Sequence, residues 1–83
     1  MYYVYVLKLQ KCGDKEFYIG YTADLRKRLA QHCAGQNNTT KNKKPELIYY
    51  EAFENEQLAR NREKGLKTSG SVYMSLMKRL GLK

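Results

Sequence analysis

Eighty-three residues, with 16 Lys+Arg against 8 Asp+Glu and a formal net charge of +8, confine the chain to one small domain with a thin core. Two separate active sites do not fit in that size, and the positive excess favours a polyanionic partner: DNA, RNA or acidic lipid. The opening stretch MYYVYVLKLQKC has no basic start or small-residue cleavage site and is too short to span a bilayer, so neither a signal peptide nor a membrane anchor is expected.

Tyr2 to Leu9 is rich in Tyr, Val and Leu and apolar almost throughout, which predicts a central strand covered on both faces. Tyr3 and Tyr5 share one face of it and Tyr2 points to the other. Lys11 to Lys15 is a turn cluster with Gly13-Asp14 at its tip, and Phe17–Tyr21 is a second strand, making an antiparallel hairpin. Thr22 is placed to cap a helix carrying Asp24 in its first turn, with Leu25, Leu29 and Ala30 as its apolar stripe and Gly35 as its stop. Gln36 to Lys44 is polar and is expected to be a mobile loop.

After Pro45, residues Glu46–Phe53 form a third strand candidate. Asn55 caps a helix from Glu56 to about Lys67, with Leu58, Ala59 and Leu66 on its buried side; Ser71 caps a last helix whose Val72, Leu76, Met77 and Leu80 recur at helical spacing. The expectation is a single α+β domain over residues 1–83, with element order β-β-α-β-α-α. Its small three-stranded sheet, an antiparallel N-terminal hairpin plus a third strand, is flanked by helices in two layers.

Several residues are equipped for chemistry. Arg28 and His32, four apart, project from one helix face, where a guanidinium can fork onto phosphate and an imidazole can shuttle a proton. The plainer alternative pairs Arg28 with Asp24 and leaves His32 rimming the core. Glu63 lies among Arg60, Arg62, Lys64 and Lys67, and its carboxylate suits a hard cation while the neighbours hold phosphates; alternatively Glu63 pairs with Lys67 on a solvated face. Tyrosine occurs eight times, and Tyr18 beside Ile19-Gly20 stands out, since a phenol can stack on a base, bond to phosphate or act as a general base. Lys41, Lys43, Lys44, Lys64, Lys67, Lys78 and Arg79 would make binding to a polyanion salt-dependent. Cys12 and Cys33 fit no metal-ligand spacing and are expected as reduced thiols in a cytoplasmic protein.

Taken together, these residues resemble the GIY-YIG nuclease superfamily in its small stand-alone bacterial form. Tyr18-Ile19-Gly20 stands as the second half-motif and Tyr3-Val4-Tyr5 as the first. Thr22-Ala-Asp-Leu-Arg-Lys-Arg28-Leu-Ala-Gln-His32 looks like the family's T-x-D-L-x-x-R-x-x-x-H helix, and Arg62-Glu63-Lys64-Gly-Leu66-Lys67 like its R-E-K-x-L-K segment. The first half-motif lacks its glycine, and Tyr21 follows Gly20 where some relatives carry lysine.

The resemblance implies Tyr5, Tyr18, Arg28, His32 and Glu63 as catalytic residues, with Glu63 holding one Mg²⁺ or Mn²⁺. Arg28 would stabilise transition-state charge. A tyrosine, Tyr5 by preference, would take a proton from water, with His32 or Tyr18 orienting or relaying it. Gly20 would allow close backbone approach, and Gly20, Tyr21, Lys41, Lys43, Lys44, Arg62, Lys64 and Lys67 would meet nucleic acid. The expected activity is metal-dependent endonucleolytic hydrolysis of DNA, in repair or recombination, by a monomer with slight sequence preference or a targeting protein partner. An RNA target is a third reading, since nothing is specific for deoxyribose. The alternative is a binding module on the same fold that cuts poorly or not at all.

Overall fold

The computed structural model describes residues 1–11, 14–36 and 40–82. Cys12 and Gly13 of the expected turn, and Asn37, Asn38 and Thr39 of the expected loop, lie outside the described residues. The elements run β1 (Tyr2–Lys11), β2 (Asp14–Thr22), α1 (Leu25–Cys33), β3 (Glu46–Phe53), α2 (Glu56–Thr68) and α3 (Gly70–Arg79). This is the expected α+β order, with a three-stranded antiparallel sheet in the order β2-β1-β3. Tyr5 on β1 stands opposite Gly20 on β2 and Tyr50 on β3, and the β1–β3 register shifts once, between Val6 and Leu7.

Because side chains alternate along a strand, the apolar run of β1 feeds two cores. Val4 and Val6 pack with Ile19, Ala59, Leu66, Leu76 and Met77, so α2 and α3 lie on that face. Tyr5, Leu7 and Leu9 face the other way, where Tyr18, Leu47 and the α1 residues Leu25 and Leu29 cover them. The sheet is therefore sandwiched between α1 and the α2–α3 pair, and the expected two layers are three. A strand apolar on both faces requires this, since either face left bare would expose it to water.

Helix ends depart slightly from expectation. Asp24, not Thr22, caps α1, accepting a bond from the Lys27 N–H at 3.0 Å. Thr22 is buried at the end of β2, and its hydroxyl binds the N–H and C=O of Asp24 at 3.0 and 3.1 Å, turning the chain from strand to helix. Gly35, at φ +77°, follows the helix where a left-handed residue is needed. Asn55 caps α2 as expected, while α3 begins earlier than expected, capped by Ser69 rather than Ser71. Leu58, expected in the core, is 57% exposed, because Ala59 and Leu66 occupy the contact with the sheet.

The described part of the connection to β3 is anchored rather than loose. Thr40 is fully buried, the Lys43 N–H donates to the Thr40 carbonyl at 3.1 Å, and the Gln10 N–H donates to the Lys43 carbonyl at 2.7 Å. The reason is polar: a threonine hydroxyl enters the protein interior where it finds a histidine partner.

Candidate active site

The odd-numbered face of β1 carries the candidate site. Tyr5 sits mid-strand with no exposed surface, and its phenol crosses the sheet over Gly20 on β2. A Cβ built on Gly20 would overlap the phenol ring and hydroxyl of Tyr5. The missing side chain thus makes room for Tyr5, and the close approach expected at Gly20 is made by a phenol of the chain itself. Gly20 is buried and does not present a surface to nucleic acid.

Around Tyr5 the aromatic groups converge. Its hydroxyl lies 2.9 Å from Nε2 of His32, whose Nδ1 lies 2.8 Å from the hydroxyl of Thr40. The Tyr18 ring stands 6.3 Å from that of Tyr5 and 5.3 Å from that of His32. A neutral imidazole has one donor and one acceptor, so Thr40, His32 and Tyr5 form one continuous chain in either tautomer. His32 is 1% exposed and stands behind the tyrosines, with no surface of its own for a substrate. Burial, and then the positive charge of Arg28, hold its pKa below the ordinary value. Tyr18 is the more open of the two phenols.

Electrostatics ties Arg28 and Glu63 to the same place. Burial and the neighbouring Tyr18 push the Tyr5 phenol up to about 12; Arg28, through its charge and a hydrogen bond, pulls the other way, and Glu63 pushes up again. Tyr5 thus feels the charges of Arg28 on α1 and Glu63 on α2 beside its β2 neighbour Tyr18. Asp24 uses its carboxylate to cap α1. Glu63, with a side chain 24% exposed, also meets Nζ of Lys67 at 3.1 Å, the surface pair that its spacing allowed.

The other expected contacts with nucleic acid separate into two groups. Lys41, Lys44, Lys64 and Lys67 are exposed, Lys67 while paired with Glu63. Arg62, Lys43 and Tyr21 already have partners. Arg62 grips Glu51 on β3 through Nε and Nη2 at 2.8 and 2.9 Å, and Lys43 meets Glu16 at 3.4 Å. Tyr21 lies on the opposite face of the sheet from Tyr5, donating to Glu56 at 2.8 Å, stacked on Tyr2 and covered by Arg60 at 4.7 Å. It is spacing along β2 that sends Tyr21 away from Gly20 and Tyr18.

Two features escaped the sequence. Thr40 lies in a polar run with no periodicity and reveals itself only through His32. Glu51 is a half-buried carboxylate whose pKa burial pushes up, while the bonds from Arg62 and the Tyr49 hydroxyl more than offset that and hold it below the usual range. Its alternation with Tyr49 on one face of β3 was the available signal.

A hard cation fits this donor set in one way. Among the described residues no three His, Cys, Asp or Glu side chains gather as a complete protein cage. A single carboxylate is nevertheless what a hydrated Mg²⁺ needs when substrate phosphate and water complete its shell. Glu63 is the carboxylate whose charge bears on Tyr5. No helix among the described residues is long and apolar enough to cross a membrane.

A UPF0213 protein of Streptococcus pyogenes serotype M5 (strain Manfredo) is 46% identical over 63 residues, covering 74% of this chain and 65% of that protein. UPF0213 proteins of serotype M2 (strain MGAS10270) and serotype M28 (strain MGAS6180) match to the same extent. The chain thus spans just under two thirds of the length of these curated relatives. No solved structure matches. Residues 1–74 match the GIY-YIG catalytic domain, from the first tyrosines of β1 through Glu63 and into α3, and the chain belongs to that family.

Proposed function

We propose that this chain is a metal-dependent endonuclease that hydrolyses phosphodiester bonds in DNA. The observation that carries the reading is that Tyr5, bonded to His32 and beside Tyr18, also feels the charges of Arg28 on α1 and Glu63 on α2.

A divalent Mg²⁺ or Mn²⁺ held by Glu63 would polarise the scissile phosphate and steady the leaving oxygen. Arg28 neutralises the charge that develops on the phosphate oxygens. Tyr18, the more open phenol, takes the proton of the attacking water on its oxygen as its own O–H proton passes to solvent. Tyr5 has no exposed surface and a pKa pushed up to about 12, so its part is to fix the imidazole and the floor of the site. His32 and Thr40 in turn hold Tyr5 in place. Lys41, Lys44 and Lys64 supply attraction to the backbone without reading sequence.

The test is cleavage of supercoiled plasmid with Mg²⁺ or Mn²⁺, comparing wild type with Glu63→Ala and Arg28→Ala. Loss of at least about 10²-fold in both variants is expected. Cleavage that survives both substitutions sinks the proposal. The Glu63–Lys67 ion pair at 3.1 Å favours a second reading, a module that binds nucleic acid without cutting it. That reading gains if DNA, RNA and branched substrates all bind in a salt-sensitive way and none is cut.

A further inference from the structure

Arg62 and Glu63 are consecutive on α2 and so point about 100° apart around the helix. Glu63 belongs to the tyrosine cluster, whereas Arg62 turns toward β3, where α2 and α3 leave a concavity of about 390 Å³ lined by Arg62, Ser71, Val72, Ser75, Leu76 and Arg79. Ser71, Ser75 and Arg79 recur every fourth residue and share one face of α3. Every polar side chain of the lining can donate a hydrogen bond, and among the described residues no carboxylate lines it.

Both guanidinium groups are steadied from β3. Arg62 gives Nε and Nη2 to the two oxygens of Glu51, which leaves the two Nη1 protons for another acceptor. Glu51 is further occupied by the Tyr49 hydroxyl at 2.7 Å. Arg79 lies over the Tyr49 ring, 6.0 Å from its centroid. Val72 and Leu76 supply an apolar wall that strengthens charge interactions at the mouth. Forked guanidinium donors beside hydroxyls suit an oxyanion such as phosphate better than a neutral guest.

We propose that this concavity is a second phosphate site, which holds a backbone phosphate of the bound nucleic acid away from the one that is cut. The proposal rests on the nucleic-acid reading of the substrate but not on cleavage. It gives a chain of this size two points of attachment, one chemical and one positional. The second point fixes the direction in which a strand crosses the domain, which a single phosphate contact leaves open.

The test is anisotropy of a labelled oligonucleotide titrated across salt concentrations with metal chelated, so that cleavage plays no part. Arg79→Gln is expected to weaken binding about tenfold at low salt and to lower the slope of log K against log salt by about one. Arg79→Lys keeps the charge and loses the fork, so it should weaken binding while the slope stays near wild type. Ser75→Ala should do the same more mildly. Lys78→Gln removes the same charge from a neighbour outside the concavity and should cost less than Arg79→Gln. Equal losses at Lys78 and Arg79 would overturn the proposal in favour of diffuse charge. Amide shifts at Ser75 and Arg79 with inorganic phosphate but not with oligonucleotide would overturn the nucleic-acid assignment. Wild-type cleavage with no Arg79 effect sinks this site alone, and an Arg79 effect without any cleavage sinks the nuclease alone.

Discussion

The phenol of Tyr5 lies in the volume that a side chain on Gly20 would claim, across the antiparallel pairing of β1 and β2. Glycine at this position is thus a condition for the Tyr5–His32 bond. Gly20→Ala should force the phenol aside and cost roughly 1–3 kcal/mol by overpacking. In a double variant with Tyr5→Leu the two costs should fail to add, because the crowding partner is gone. Denaturant melts of the four proteins measure this directly, and simple additivity would contradict the geometry.

Tyr5→Phe and Tyr18→Phe should separate along different axes. Removing the Tyr5 hydroxyl leaves Nε2 of His32 without its buried partner and should cost about 1–3 kcal/mol of stability. Removing that of Tyr18 should cost less stability than removing that of the fully buried Tyr5 and should lower kcat by about 10²–10⁴. Thermal melts and single-turnover rates on one substrate read both effects. A large rate loss confined to Tyr5→Phe would return the proton-accepting role to Tyr5.

His32 is the chain's one histidine, which makes its titration easy to isolate. Its folded pKa lies below the ordinary 6.5 through burial and the charge of Arg28. Below that pH the unfolded chain takes up a proton that the fold resists, so the stabilisation is present above 6.5 and is lost as the pH falls toward the folded value. Urea melts from pH 7.5 downward should show this decline before carboxylates titrate. In His32→Asn the decline over that window should vanish.

At alkaline pH the sign reverses in direction. Tyr5 ionises near 10 when unfolded and at about 12 when folded, so its contribution is intact below pH 10 and disappears between pH 10 and 12. The loss from this residue is on the order of 2–3 kcal/mol. Tyr21, Tyr49 and Tyr73 are shifted the same way, Tyr21 and Tyr49 by burial and then a carboxylate bond, Tyr73 by burial. Tyrosinate absorbance followed together with the far-UV signal should show ionisation and unfolding rising together.

Leu58 and Ala59, adjacent on α2, should respond oppositely to substitution. Leu58→Gln touches an exposed side chain and should change stability by no more than about 0.5 kcal/mol. Ala59→Leu places a large side chain against Val4 and Val6 and should cost about 1–3 kcal/mol. Equal responses in denaturant would mean that α2 is rotated from its described face.

The elements that were legible in the sequence are those with a strong period or a strong cap. β1, β3 and α2 follow their expected bounds closely because an unbroken apolar run, a Pro45 boundary and an Asn55 cap each leave few alternatives. Tyr5, Tyr18, Arg28 and His32 could be nominated because motif spacing is local. Their joint position is a tertiary matter, fixed by the β1–β2 register and by the side of the sheet on which α1 lies. The layer count was misjudged although β1 was read as covered on both faces, since patterning within a helix does not say which face it covers. Leu58 was misplaced because Ala59 and Leu66, with the same helical phase, suffice to seat α2. Thr40 and the Glu51–Arg62 pair were illegible because the partner of each polar group is distant in sequence and no period announces it.

The two-faced character of β1 also governs when the molecule becomes competent during synthesis. Tyr5 leaves the ribosome first, and Glu63 follows only after β2, α1 and β3. Until α1 arrives, one side of β1 is bare; until α2 and α3 arrive, so is the other. A nascent chain that stops before α2 holds both tyrosines, the arginine and the histidine without the carboxylate, beside an uncovered strand that invites self-association. The growing polypeptide is therefore physically vulnerable until α2 and α3 close over the sheet.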